Sequence, residues 1–148
     1  MGITTVARTD KATDDFETFI QVPPQLIVQF GTIGKRAWFL DIERHEGDAA
    51  LLLMTQPECP FCAQLAVIVR NAQKLAMARY KKILMVYVLE ISPRNVKSQT
   101  LARNMNTLRA PQLFVCKTST GRLVNWTETS DAAQITADIL LRVLRLSE

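Results

Sequence analysis

Two short, uninterrupted apolar runs constrain the fold of this chain more than any other feature of its sequence. Residues 49–54 and 83–89 are each far shorter than the roughly 20 apolar residues that cross a bilayer, so no membrane span is expected. Both runs have the length of a strand that is buried on both faces. Between them, apolar side chains recur at helical spacing: Leu65, Ile68, Val69, Ala72, Leu75 and Ala76. Two buried strands connected through a helix predict a parallel pair in an α/β fold.

The residues that follow predict a helix, a hairpin and a closing helix. Three apolar residues mark the inward face of the first of these helices: Leu101, Met105 and Leu108. Residues 111–116 and 122–126 are predicted strands on either side of a turn at Gly121. The closing helix is expected to have Ser130 as its N-cap. Its expected inward face consists of Ile135, Ile139, Val143 and Leu146.

The pattern before residue 49 is weaker. A short helix that ends at the proline pair 23–24 is predicted by apolar residues at spacing i, i+3 and i+4, namely Phe16, Phe19 and Ile20. Residues 26–30 and 36–42 are expected to be extended, with a turn between them. Residues 1–15 are polar and unpatterned, which predicts a loosely held leader.

Length, charge and composition narrow the class of protein. A chain of 148 residues with 48% hydrophobic and 22% charged residues is expected to form one globular core. Residues 1–49 carry five Lys and Arg against eight Asp and Glu, whereas residues 50–148 carry thirteen against six. No aromatic residues are interleaved with the basic ones, so nucleic acid is not expected as a partner. The start of the chain lacks the pattern of a secretory signal, which favours a cytoplasmic location.

The segment Cys59-Pro60-Phe61-Cys62 lies between the first apolar run and the helical pattern. One helical turn brings position i+3 beside position i, so the two sulfurs can close a disulfide. Unpaired N–H groups and the helix dipole favour a thiolate at the first cysteine, and such sites lower a cysteine pKa from about 8.5 to roughly 3.5–7.5. This predicts Cys59 as the nucleophile and Cys62 as the resolving thiol. Pro60 suits the first helical turn.

From residue 49 to residue 146 the chain resembles the thioredoxin superfamily, and an aromatic residue after Pro60 is closest to glutaredoxins. The resemblance covers about two-thirds of the chain and implies a thioredoxin-like fold, with a central mixed sheet flanked by helices. It divides the chain into an N-terminal extension, residues 1–48, with a possible extra strand or hairpin, and a thioredoxin-like domain, residues 49–148. It also implies a cis-proline at Pro111 that turns the backbone of Ala110 toward Cys59.

The activity that this resemblance implies is thiol–disulfide exchange on protein disulfides through Cys59 and Cys62. The implied substrate-binding residues are Pro60, Phe61, Ala110 and Pro111. Because the dithiol itself carries two electrons, no organic cofactor is expected, and no metal. The implied partners are a substrate protein with a disulfide or thiol, and a reductase or glutathione as electron donor.

Departures from the family pattern keep two other functions open. Glu58 stands where thioredoxins usually place tryptophan, and the apolar run 49–54 lacks their buried acid. These differences favour a protein-interaction module with little or no redox turnover. Glutaredoxins bind glutathione through two glycines and an aspartate, of which only Asp131 is present. Glutathione-dependent reduction is therefore the second alternative.

The cysteine pair is also half of a common zinc-binding motif. The remaining candidate ligands, Cys116 and His45, are distant in sequence and belong to no paired motif. Cys116 lies in a predicted strand and is interpreted as a small buried hydrophobic residue. His45 is interpreted as a solvated loop residue, and a redox centre is favoured over a zinc site.

Overall fold

The computed structural model describes residues 19–31, 37–42, 47–107, 109–126 and 135–146. Within these ranges the strands are β1 Phe19–Gln21, β2 Ile27–Phe30, β3 Ala37–Leu40, β4 Ala49–Thr55, β5 Leu84–Glu90, β6 Gln112–Cys116 and β7 Arg122–Asn125. The helices are α1 Pro60–Tyr80, α2 Val96–Asn104 and α3 Ala137–Val143, with a 3-10 turn at Pro24–Leu26. The two apolar runs form β4 and β5, as predicted.

The strands of the described residues form one mixed sheet in the order β1-β5-β4-β6-β7-β3-β2. Strands β1, β5 and β4 run parallel, whereas β6, β7, β3 and β2 each run antiparallel to their neighbours. Strand β4 is central, with Leu52 opposite Tyr87 of β5 on one side and Phe114 of β6 on the other. The parallel pair and the antiparallel hairpin predicted from the sequence are both confirmed.

Helices cover both faces of the sheet. Alternate residues of β4 point to opposite faces, so Leu52 and Met54 pack in one core cluster and Leu51 and Leu53 in the other. The first cluster is completed by α2 and the second by α1 and α3. These four side chains of β4 are at most 1% exposed. Burial on both faces of the sheet explains why the sequence of this strand is a continuous apolar run.

The helix predicted around Phe19 and Ile20 is wrong, and Phe16 lies outside the described residues. Phe19–Gln21 is strand β1, and it pairs parallel with residues 86–88 of β5. Three apolar residues at helical spacing are too few to determine the structure, and pairing with the edge of a buried sheet decides it.

The predicted extended segments around residues 26–30 and 36–42 are confirmed as the antiparallel pair β2 and β3. Strand β3 also pairs with β7, so β2 and β3 extend the same sheet whose central strand β4 leads to the cysteine pair. The division of the chain into an extension, residues 1–48, and a domain, residues 49–148, stays a prediction.

The closing helix differs from its prediction at its start and at one inward position. Leu140 and Leu141 form its buried side, whereas Val143 is 42% exposed, so the predicted inward position of Val143 is wrong. Ile135 and Leu146 are buried as predicted. Helix α3 has only seven residues and Thr136 is its N-cap, so the predicted N-cap at Ser130, which lies outside the described residues, is wrong. None of the helices in the described ranges is long and apolar enough to span a membrane.

Candidate functional site

The cysteine pair lies where the central strand passes into the longest described helix. Strand β4 ends at Thr55, three residues form a loop, and Cys59 is the N-cap of α1. Pro60 occupies the first helical position, where a residue without an N–H group breaks no helical hydrogen bond. The sequence therefore fixes the helix start at the first cysteine.

Cys59 and Cys62 form a disulfide, with their Cα atoms 5.2 Å apart. The backbone N–H of Cys62 donates a hydrogen bond to Sγ of Cys59 at 3.1 Å. This N–H belongs to the first turn of α1, where helical N–H groups have no partner within the helix. The same contact and the helix dipole would stabilise a negative charge on Sγ of Cys59. Cys59 is half-buried and Cys62 only 5% exposed, so the first sulfur is the more reachable of the two.

Apolar surface lies immediately beside the disulfide. Phe61 is 68% exposed, although it is a large apolar side chain, and Pro60 is also exposed. Aromatic residues such as phenylalanine are enriched in protein–protein interfaces. Their position within the first helical turn places them next to any molecule that reaches Cys59.

The segment Ala110–Pro111 lies at the same end of the sheet as the cysteine loop. Met54 is opposite Gln112 in the β4–β6 ladder, and because the two strands are antiparallel, Pro111 precedes β6 where β4 ends. The Ala110–Pro111 peptide bond is cis. Both residues are half-buried.

A short hydrogen-bond chain holds this segment. Nε2 of Gln112 donates to the carbonyl of Arg109 at 2.7 Å, and Nδ2 of Asn125 donates to Oε1 of Gln112 at 2.8 Å. The side chain of Gln112 thereby links the Ala110–Pro111 segment to β7. Sequence reasoning missed Gln112 and Asn125, because their contact depends on the pairing register of β6 and β7.

A surface groove of about 630 Å³ runs along the cysteine pair. On the helix side it is lined by Ala63 and Ala66 of α1. The lining residues are Thr55, Gln56, Pro57, Glu58, Cys59, Pro60, Cys62, Ala63, Ala66 and Glu90.

Two of the groove residues carry carboxylates. Glu58 precedes Cys59 with a left-handed backbone, φ 56°, and its side chain is exposed. Glu90 is the last residue of β5 and lies opposite Thr55, the last residue of β4. Sequence reasoning did not select Glu90, although parallel neighbouring strands bring their carboxyl ends to one edge of a sheet.

Cys116 lies at the other end of the β4–β6 ladder, opposite Ala50. It is 2% exposed, and burial raises the pKa of its thiol to about 12. The interpretation of Cys116 as a small buried hydrophobic residue is confirmed. Within the described ranges, no three His, Cys, Asp or Glu residues lie together as a metal site would need. His45 lies outside these ranges.

Comparisons with known proteins found similarity only to solved structures. No protein-family model matches the sequence, and no curated protein sequence matches it. The J-Trx1 fragment of ERdj5 aligns at 17% identity and a TM-score of 0.44, covering 67% of this chain and 44% of the fragment. The first thioredoxin domain of mouse protein disulfide-isomerase A4 aligns at 20% identity and a TM-score of 0.45, covering 68% of this chain and 64% of that domain's chain.

A third structure is the C-terminal domain of Neisseria meningitidis DsbD in its oxidised form, at 15% identity and a TM-score of 0.42. It covers 68% of this chain and 80% of that chain. This chain spans less than two thirds of the first two structures. At such distances the fold assignment rests on element order and sheet order. A helix that begins at the cysteine pair follows the central strand of a mixed sheet, and helices cover both faces, so the chain has a thioredoxin-like fold.

Proposed function

We propose that this protein is a thiol–disulfide oxidoreductase that acts on protein disulfides through Cys59 and Cys62. The observation that carries the proposal is the disulfide at the start of α1, whose first sulfur is reachable from a groove and accepts the N–H of Cys62. A disulfide that only stabilised the fold would need neither a reachable sulfur nor a groove. The likeness to thioredoxin-type domains agrees with this class of activity at a general level.

In the reducing direction, the thiolate of Cys59 attacks one sulfur of a substrate disulfide. A mixed disulfide forms, and the other substrate sulfur leaves as a thiolate that takes a proton from water. Cys62 then loses its proton to water and attacks Sγ of Cys59. The Cys59–Cys62 bond forms, the second substrate thiolate leaves, and two electrons have passed to the substrate. The oxidising direction is the reverse of these steps.

Four residues around the pair would bind the substrate. Pro60 and Phe61 offer exposed apolar contacts beside Cys59. Ala110 and Pro111 lie at the same sheet edge, where the backbone of Ala110 would pair with an extended peptide. Gln112 would hold that segment in place through the carbonyl of Arg109.

The proposed electron donor is a reductase or glutathione, and the proposed location is the cytoplasm. The dithiol is the redox group, so no organic cofactor enters the proposed reaction. Incubating the oxidised protein with reduced glutathione and measuring the glutathione adduct and the free thiols by mass spectrometry would distinguish a glutathione-dependent enzyme from one that needs a protein reductase.

Cysteine variants test the proposal. Mild reductant should expose two alkylatable thiols in the native protein, with Cys116 reacting only after unfolding, because Cys116 is buried. Cys59→Ser should abolish reduction of a protein disulfide such as that of insulin. Cys62→Ser should stop at the mixed disulfide, which mass spectrometry detects as a covalent adduct.

Cys116→Ser is the matched control, and it should retain full exchange activity once folding is confirmed. The proposal fails if native Cys59 and Cys62 stay unreactive after reduction, or if Cys59→Ser reduces insulin as fast as the parent.

The absence of an acid beside the pair on β4 favours one other function. Leu51, Leu53 and Met54 are apolar and buried, so this strand supplies no carboxylate to accept the proton of Cys62. A protein-interaction module that uses the exposed Phe61 would need no such group. A double Cys59→Ser/Cys62→Ser variant that supports normal function in cells would favour the module, whereas loss of function would favour redox turnover.

A further inference from the structure

The charged side chains that line the groove are all of one sign. Among the ten described residues that line it, Glu58 and Glu90 are the ionisable ones other than the cysteines, and both are acidic. Arg109, which precedes Ala110, is not among them. This contrasts with the whole chain, whose net charge is +4. The described groove lining therefore carries two carboxylates and no basic side chain, which the overall composition does not predict.

The fold fixes the positions of both carboxylates. Glu90 ends β5, so it lies on one side of the β4 exit, while the Ala110–Pro111 segment before β6 lies on the other. Glu58 lies in the loop that follows β4, directly before Cys59. Both carboxylates are exposed, so a bound molecule can approach them without displacing other side chains.

We propose that these two carboxylates make the groove selective for disulfides that carry positive charge nearby, such as disulfides flanked by Lys and Arg. The inference rests on the proposed function and names its substrate class. A cation held about 4 Å from one carboxylate in water gains a factor of about five in occupancy, and an anion loses a similar factor. Two carboxylates beside one sulfur pair act on the same approaching group.

The reaction to be measured is a single turnover of the reduced dithiol. Cys59 attacks the small disulfide, one of its thiolates leaves and is protonated by water, and Cys62 displaces the second. The products are two small thiols and the Cys59–Cys62 disulfide. The protein is reduced with dithiothreitol and desalted beforehand, so no other electron donor is present.

Three small disulfides separate charge from size: cystamine, a dication; bis(2-hydroxyethyl) disulfide, which is neutral; and 3,3′-dithiodipropionate, a dianion. Each rate is measured at neutral pH and low salt by acid quenching, alkylation and mass spectrometry. It is then divided by the rate of the same disulfide with free dithiothreitol, which removes differences in intrinsic reactivity. The normalised rates should fall about fivefold or more at each step from dication to neutral to dianion. The differences should shrink in 1 M salt, where screening acts within about 3 Å.

Charge-neutral variants assign the effect to the two residues. Glu58→Gln and Glu90→Gln should each reduce the ratio of cystamine to neutral rates, and the double variant should bring it close to one. Any change in the reactivity of Cys59 itself alters all three rates by one factor and cancels in the ratio. Asp41→Asn is the control, because Asp41 is exposed and follows β3, which is separated from β4 by β7 and β6. It should leave the ratio unchanged.

The outcomes separate this inference from the function on which it rests. Equal normalised rates for the three disulfides would overturn the inference while leaving the oxidoreductase intact. A charge preference that survives in the double Gln variant would also overturn it. No reaction with any of the three disulfides would reject the proposed function, and the inference with it.

Discussion

Cys116 is free and buried, whereas Cys59 is half-buried and bonded to Cys62. It is buried between β4 and β7, and its Sγ lies 3.7 Å from the carbonyl of Gly121. Desolvation raises its pKa from an ordinary value of 9.0 to about 12. The folded protein therefore keeps this proton in a pH range where the unfolded chain has lost it.

The sign of the resulting pH dependence follows from proton binding. Above about pH 9 the folded state binds one proton more at Cys116 than the unfolded state, so stability falls as pH rises. Between pH 7.5 and pH 10.5 the parent should lose about 2 kcal/mol more unfolding free energy than Cys116→Ala. Urea unfolding at both pH values measures this difference. Equal losses in the two proteins would show that the thiol titrates normally in the folded state.

At the level of single residues, the sequence predicts part of the site. The spacing of Cys59 and Cys62 and the proline before β6 are visible in the sequence, because each acts through local backbone geometry. The positions of Glu90 and Gln112 in the site are not visible in the sequence, because they depend on which strands pair and in which register. Glu58 is visible in the sequence as a departure from the thioredoxin pattern, but that it lines one groove with Glu90 depends on the fold.

At the level of elements, prediction succeeds where burial alone determines structure. Strands β4 and β5 are buried over almost their whole length, and the sequence shows them as apolar runs. Strand β1 has only three residues and one buried side chain, so its pattern does not distinguish a strand from a helix. Its structure comes from pairing with β5.

The end of α1 provides a test at the same level. Lys81 terminates the helix with a left-handed backbone, φ 56°, and the N–H of Lys82 bonds to the carbonyl of Ala76 at 3.1 Å. Glycine adopts this conformation without steric cost and is the usual residue there. Lys81→Gly should raise the unfolding free energy by about 0.5–1 kcal/mol.

Lys82→Gly is the matched control, because Lys82 is not among the described residues with positive φ. Glycine there only increases the freedom of the unfolded chain, so the variant should be less stable than the parent or equal to it. Chemical denaturation of the three proteins gives the comparison. A Lys81→Gly protein that is less stable than Lys82→Gly would contradict the account of the helix end.

At the level of the whole molecule, one sheet joins segments from both halves of the chain. Leu40 of β3 is 2% exposed and packs in the same core cluster as Leu52 of the central strand. Its N–H also donates to the carbonyl of Gly121 at 2.8 Å. Leu40→Ala should therefore lower the global unfolding free energy by about 2–5 kcal/mol.

Gln29→Ala, at an exposed position of β2, should change stability by no more than about 0.5 kcal/mol. Both variants are compared with the parent by urea unfolding followed by circular dichroism. If Leu40→Ala left the main transition unchanged, β2 and β3 would open as a unit separate from the rest of the sheet.

The groove beside the disulfide has a kinetic consequence for the proposed enzyme. A protein that reduces disulfides repeatedly must accept electrons from one partner and pass them to another, and the described structure offers both partners the same sulfur from the same side. They must visit in alternation, so steady-state rates should follow ping-pong kinetics. An excess of the electron donor would then bind the protein that is already reduced, and an excess of substrate the protein that is already oxidised. Either excess would inhibit turnover. Donor and acceptor would also share any preference that the groove imposes, so a positively charged reductase surface would suit it as well as a positively charged substrate.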